Sequence, residues 1–180
     1  MKLEELNLNS VSIFEIFDSS IKIEWEHTST GEDGIFKIND KEFVLHINNY
    51  NSINLKSGNF TGDIVDISFD RIKDGKSTIE ITNDGDSIKI FAAVYNGIID
   101  KFKESKTTDK FPNSLIFSAK HGIGYDSRVK LYKMIQRYIS KFSYKIVKPI
   151  ETHRGTVFIL TRSNLSGNDF NELIDIIKSI

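Results

Sequence analysis

The chain has 180 residues, with 24 Lys and Arg against 25 Asp and Glu, and no cysteine. A chain of this length is expected to form one domain over residues 1–180 and to bury about 70% of the surface its unfolded form exposes. The missing cysteine excludes disulfides, thiol nucleophiles and cysteine-ligated zinc or iron–sulfur centres, and the balanced charge excludes a global attraction to nucleic acid or to an anionic membrane.

The opening "MKLEELNLNS" carries two acids and no apolar run of signal-peptide or membrane-span length, which predicts a cytoplasmic protein with no membrane partner. Strand-like alternation follows. "IKIEWEH" (21–27) aligns Ile21, Ile23 and Trp25, "GIFKI" (34–38) comes next, and "EFVLHI" (42–47) aligns Phe43, Leu45 and Ile47. Short turn-rich links between these runs predict an antiparallel meander. Residues 48–62 read as a polar loop, "IVDISFD" (64–70) as a strand aligning Val65, Ile67 and Phe69, and "STIEIT" (77–82) as the strand after a "KDG" turn. The Asp-Gly and Asn-Asp-Gly clusters at 33–34, 74–75 and 83–86 read as turns, because "DGD" lacks the spacing and the distant glutamate of a calcium loop.

After "NDGDS" (83–87) the period lengthens to that of a helix. Phe91, Val94, Tyr95, Ile98 and Phe102 share one face, Asp86 or Ser87 can cap the first turn, and Gly97 permits close packing on the sheet. "SLIFSA" (114–119) is apolar on both faces and too short for a helix, so it predicts an interior strand. The next helix, near 127–142, has two faces. Lys133, Arg137 and Lys141 fall within about 60° of Lys130, while Leu131, Ile135, Tyr138 and Phe142 cluster between about 80° and 140°. Asp126 or Ser127 is expected to cap it, and Gly122 and Gly124 to supply positive φ in the turn before it. "YKIVKPI" (144–150) and "TVFILTR" (156–162) predict two further strands, the second buried on both faces. "SGND" opens a last helix with Ser166 and Asp169 at capping-box spacing and Phe170, Leu173, Ile174 and Ile177 on its inner face. The expected fold class is α+β: an antiparallel or mixed twisted sheet of about seven strands with three helices.

Charge is unevenly placed. Between Ser118 and Arg154 nine Lys and Arg stand against Asp126 and Glu151, a local net of +7, which leaves −8 for the remainder of a chain of net −1. Such polarity steers an anionic partner toward one face or marks a solvated surface. Within this stretch His121, Gly122, Gly124, Tyr125 and Arg128 lie where a strand ends and a helix begins. There, unpaired N–H groups and a guanidinium can hold a phosphate or carboxylate; the plainer reading is a glycine turn, a cap and an Arg128–acid pair. Lys130, Lys133 and Arg137 extend the candidate partner-binding face. Interleaved aromatics (Tyr132, Tyr138, Tyr144) would also allow a nucleic-acid backbone, a reading placed behind a protein partner because no nucleic-acid-binding module is visible. The four histidines, His27, His46, His121 and His153, never stand at metal-ligand spacing, His46 reads as a strand side chain, and no Ser/His/Asp or His-Glu-x-x-His signature is present. No metal or cofactor is expected.

Over residues 77–162 the order strand, helix, strand, helix, strand, strand is similar to the acetyl-CoA-binding half of GNAT acyltransferases, and "SRVKLYKMIQRYISKFSYKIV" resembles their penultimate helix and the strand after it. That resemblance implies acetyl-CoA as cofactor and Tyr132 as the acid that protonates the departing thiolate. The family's (Arg/Gln)-x-x-Gly-x-(Gly/Ala) pyrophosphate turn is replaced here by "NDGDSIKIFAA", whose aspartates repel phosphate. The early meander, "IKIFAAVYNGII", "LIFSAK" and "SRVKLYKMI" together resemble small uncharacterised bacteriophage proteins with a Ser-Arg-x-x-Leu-Tyr helix, in keeping with 28 Ile against three Ala. The combined expectation is a non-enzymatic phage-type protein that binds a host or virion partner, in the host cytoplasm or on the virion. A GNAT-like acyl-CoA N-acyltransferase, or a degenerate relative, is the alternative.

Overall fold

A computed structural model describes residues 21–54, 61–78, 86–104, 112, 114–122, 124–162 and 167–179. The chain order is β1 (Glu24–His27), β2 (Gly31–Ile38), β3 (Lys41–Asn54), β4 (Thr61–Lys73), β5 (Lys76–Thr78), α1 (Ser87–Glu104), β6 (Ser114–Lys120), α2 (Tyr125–Ile139), a 3-10 turn (Ser140–Phe142), β7 (Tyr144–Ile146), β8 (Ile150–Thr152), β9 (Gly155–Arg162) and α3 (Gly167–Ser179). The expected strand over 79–82, the turn at 83–85, the cap at Ser166 and the first ten residues lie outside the described residues.

One mixed sheet holds all nine strands, in the order β1-β2-β3-β4-β6-β9-β7, with β5 added beside β4 and β8 beside β9. The α+β expectation therefore holds, with nine strands in the described sheet where the sequence predicts about seven. Every neighbouring pair is antiparallel except β4 and β6. The meander is turned by paired residues of positive φ: Asn39 and Asp40 (48° and 61°) between β2 and β3, and Asp74 and Gly75 (54° and 70°) between β4 and β5. Such turns match the twist of a two-residue hairpin. Asp33 and Gly34 are not a turn, contrary to expectation; they lie inside β2, paired with His46 and Leu45.

The polar loop expected over 48–62 is also corrected. β3 runs to Asn54 and β4 starts at Thr61, and their ladder reaches Asn54↔Thr61 with a register shift between Tyr50 and Ile53. Long-range pairing with a well-buried neighbour overrides the low strand propensity of the asparagines there.

Alternation divides the core between two faces. Phe36, Phe43, Leu45, Val65, Ile67, Leu115, Phe117, Phe158 and Leu160 meet Phe91, Val94, Ile98 and Phe102 of α1 and Leu131, Tyr132, Ile135 and Ile139 of α2. Ile64, Ile116, Val157 and Ile159 point the other way and pack with Leu173 of α3. β6 lies between β4 and β9, and β9 is buried from Gly155 to Thr161, so "LIFSA" and "VFIL" are interior strands as their two-sided apolarity predicts. Ile21, Ile23 and Trp25 pack on the first of these faces. Gly97 of α1 explains how closely: a Cβ there would stand 2.7 Å from Ile23 and 2.8 Å from Leu45. No helix among the described residues is long and apolar enough to cross a membrane.

Candidate functional site

α2 joins the sheet at the end of its one parallel pair. The β4–β6 ladder stops at Ile67↔Phe117, although β6 continues to Lys120 beside β9 and β4 continues to Lys73, taking β5 as its neighbour from Arg71. Between Ser68–Asp70 on one side and Ser118–Lys120 on the other the strands part, and their facing backbone groups need other partners. Two α2 side chains, one helical turn apart, supply partners for two of these groups. The Arg128 guanidinium donates to the Lys120 carbonyl at 2.7 Å. The Tyr132 hydroxyl is hydrogen-bonded to the Phe69 backbone, and its ring contacts Phe69, Phe117 and Phe158 at centroid distances of 6.1, 5.4 and 6.0 Å.

Two expectations about single residues change as a result. Arg128, 2% exposed, is not part of the outward basic face; burial pushes its pKa down, against the favourable influence of Tyr132 and Asp70. Its guanidinium fastens α2 to β6. Tyr132, 1% exposed, is sealed among aromatic rings. Burial first, then the nearby Asp66 and Asp70 carboxylates, push its phenol well above the ordinary value, with Arg128 and the Phe69 backbone opposing.

The turn itself follows the glycine expectation and departs from the cap expectation. Gly122 and Gly124 have φ of 121° and 77°, values that an L side chain resists. Gly124 is the N-cap and no side chain caps the helix, so Asp126 and Ser127 sit within its first turn instead of before it. The Arg128 N–H makes the first intrahelical bond, to the Gly124 carbonyl, and the Tyr125 N–H donates to the Gly122 carbonyl, which removes one donor from any anion cradle. His121 is exposed and stacks on Tyr125 at 4.8 Å between centroids. The Tyr125 hydroxyl meets the Thr156 hydroxyl, which donates to the Glu151 carboxylate at 2.9–3.0 Å. This relay ties the start of α2 to the β8–β9 hairpin.

Lys130, Lys133 and Arg137 are exposed on the opposite side of α2. No ion pair joins Lys133 or Arg137 to an acid among the described residues. Lys141 continues the line and lies 5.0 Å over the Tyr138 ring. Of the interleaved aromatics, Tyr144 is buried with its hydroxyl donated to the Pro112 carbonyl at 2.6 Å; with Tyr132 also buried, Tyr138 alone of the three reaches toward this face.

At the start of α1 the Asp86 carboxylate is 4% exposed and accepts from Asn39 at 2.6 Å and Lys41 at 3.0 Å. The helix thus begins on a carboxylate already clasped by the β2–β3 turn.

One polar group was not visible in the sequence. Asp33, His46 and Ser68 stand opposite one another on β2, β3 and β4. His46 Nδ1 is 2.7 Å from Asp33 Oδ1 and Nε2 is 3.9 Å from Asp70 Oδ2. Burial raises the Asp66 carboxyl to about 6, with Lys120 and His46 opposing. The alternation Asp66, Ser68, Asp70 was readable along β4, but only the strand register brings His46 and Asp33 beside it. Among the described residues no group of His, Asp and Glu is arranged to hold a metal ion.

Compared with protein-family models, curated proteins and solved structures, the chain matches none.

Proposed function

We propose that this chain works by binding, and that the exposed face of α2 bearing Lys130, Lys133 and Arg137 engages an acidic protein partner. The observation that carries this reading is the division of α2. Its inner side is fastened by Arg128, Leu131, Tyr132, Ile135, Gln136 and Ile139, all buried, while Lys133 and Arg137 are exposed and, among the described residues, in no ion pair. A rigid helix presenting exposed cations recognises an anionic surface without an ordering cost of its own. The phage resemblance and the Ile-rich composition support a host-cytoplasm or virion setting. The test is a titration with a fluorescein-labelled poly-glutamate peptide and, in parallel, a single-stranded oligonucleotide of equal charge. Tighter peptide binding supports the reading, and tighter oligonucleotide binding replaces it with nucleic-acid recognition.

A second reading, a GNAT-like acyltransferase, draws support from one feature: β4 and β6 are parallel, joined through α1, and followed by α2, β7, β8 and β9. Two features oppose it. Asp86 places a carboxylate at the start of the helix where pyrophosphate would sit, and Tyr132 lies behind aromatic rings where a thiolate cannot reach it. Calorimetric titration with acetyl-CoA decides: micromolar binding displaced by CoA establishes the acyltransferase reading, and no heat eliminates it.

A further inference from the structure

The geometry of the His46 row points to a proton-operated latch. A carboxylate only accepts hydrogen bonds, so at 2.7 Å from Asp33 Oδ1 the His46 Nδ1 must carry its hydrogen. In the neutral ring the bare nitrogen is then Nε2, and Nε2 is the atom that faces Asp70 Oδ2, at 3.9 Å. A lone pair set against a carboxylate is repulsive. The same atom, once protonated, becomes a donor aimed at that carboxylate and beyond hydrogen-bond reach by less than about 1 Å. Asp70 has a second cation to serve, because its charge also supports the buried Arg128 guanidinium.

We propose that protonation of His46 at Nε2 draws Asp70 toward β3 and away from Arg128, so that the fastening of α2 across the β4–β6 parting responds to pH. Asp33 sets the direction of the switch by holding Nδ1–H, and Asp70 is the element that moves between two cations. The other charged groups facing this row, among the described residues, include Glu26 on β1, paired opposite Asp33, Asp66 on β4, Lys120 on β6, and Arg128 with Tyr132 on α2. Asp66 adds a second titrating group four residues before Asp70 on the same face of β4, close enough for the imidazolium to lower its pKa. The two protonations are therefore coupled and oppose each other. None of this depends on what the outer face of α2 binds.

The experiment is a nuclear magnetic resonance titration of the isotope-labelled protein from pH 8.5 to 4.5, reading the His46 ring nitrogens and the Arg128 Nε–Hε signal. The expected result is that Nε2 is the titrating nitrogen and that the Arg128 signal moves with the same midpoint as His46. In Asp70→Asn the Arg128 signal should stop following the His46 titration. His46→Gln should abolish the Arg128 response. The proposal is overturned if Nδ1 is the titrating nitrogen, or if the wild-type Arg128 signal does not follow His46. It is equally overturned if the Arg128 signal still follows His46 in Asp70→Asn. Should Asp70→Asn fail to fold, the two wild-type readings decide alone.

Discussion

Arg128 and Tyr132, one turn apart on α2, close the same opening: the first donates to the Lys120 carbonyl on β6 and the second is hydrogen-bonded to the Phe69 backbone on β4. A helix thereby substitutes for the missing ladder between two parallel strands. The residues that look most chemical in the sequence of α2 are the ones the fold consumes.

This role has a measurable signature in stability. Tyr132→Phe keeps the ring and strands a buried backbone group, a loss of about 1–3 kcal/mol, whereas Tyr132→Ala adds a cavity among Phe69, Phe117 and Phe158 and costs about 3–5 kcal/mol. Arg128→Lys should not rescue Arg128→Ala, because an ammonium cannot reproduce the planar guanidinium fork at a buried carbonyl. Urea unfolding of the variants measures each, and none should alter binding by the outer face while the protein is folded.

The pH dependence of stability follows from Asp66. Its carboxyl is raised from 3.8 to about 6 by burial, so the folded state holds that proton more tightly than the unfolded chain. The contribution is fully present below about pH 4 and is lost as the pH rises through about 6. At about 1.4 kcal/mol per unit the loss is at most about 3 kcal/mol. Asp66→Asn should flatten that part of the stability–pH curve and be more stable than wild type at pH 8. A wild-type-like slope in the variant would assign the pH dependence elsewhere.

Much of this architecture could be read directly. Two-sided apolarity placed β6 and β9 inside the sheet, helical periodicity gave the inner faces of α1 and α2, and Gly122 and Gly124 have the positive φ expected of them. What could not be read depends on partners far away in sequence. The asparagines near residue 50 look like a loop because nothing local reveals β4 beside them. The grouping of Arg128 with the basic face came from charge alone, although 100° per residue sets it about 160° from Lys130, on the core side. The Asp33–His46 contact depends on register, and a shift of one residue would send His46 to the other face.

The clasp at the start of α1 should be structural. Asp86→Ala leaves Lys41, whose side chain is 20% exposed, without its carboxylate and frees Asn39, and breaking a mostly buried pair from one side costs about 3 kcal/mol. Thermal unfolding checks this. Acetyl-CoA should bind the variant no more tightly than it binds wild type, because removing a carboxylate does not create the glycine turn that pyrophosphate requires.

The central claim is that the outer face of α2 binds through its charge. The direct measurement is fluorescence anisotropy of the labelled poly-glutamate peptide against wild type and the Lys133→Glu, Arg137→Glu double variant, from 50 to 300 mM salt, with melting temperature recorded alongside. Both residues are exposed, and exposed substitutions usually change stability by no more than about 0.5 kcal/mol, so the fold should persist. Wild-type affinity should fall steeply with salt, as screening of exposed charges requires, and the double variant should bind at least about tenfold more weakly at the lowest salt. Equal affinity of the two proteins at every salt concentration would contradict the account and leave the basic stripe as a solvated surface.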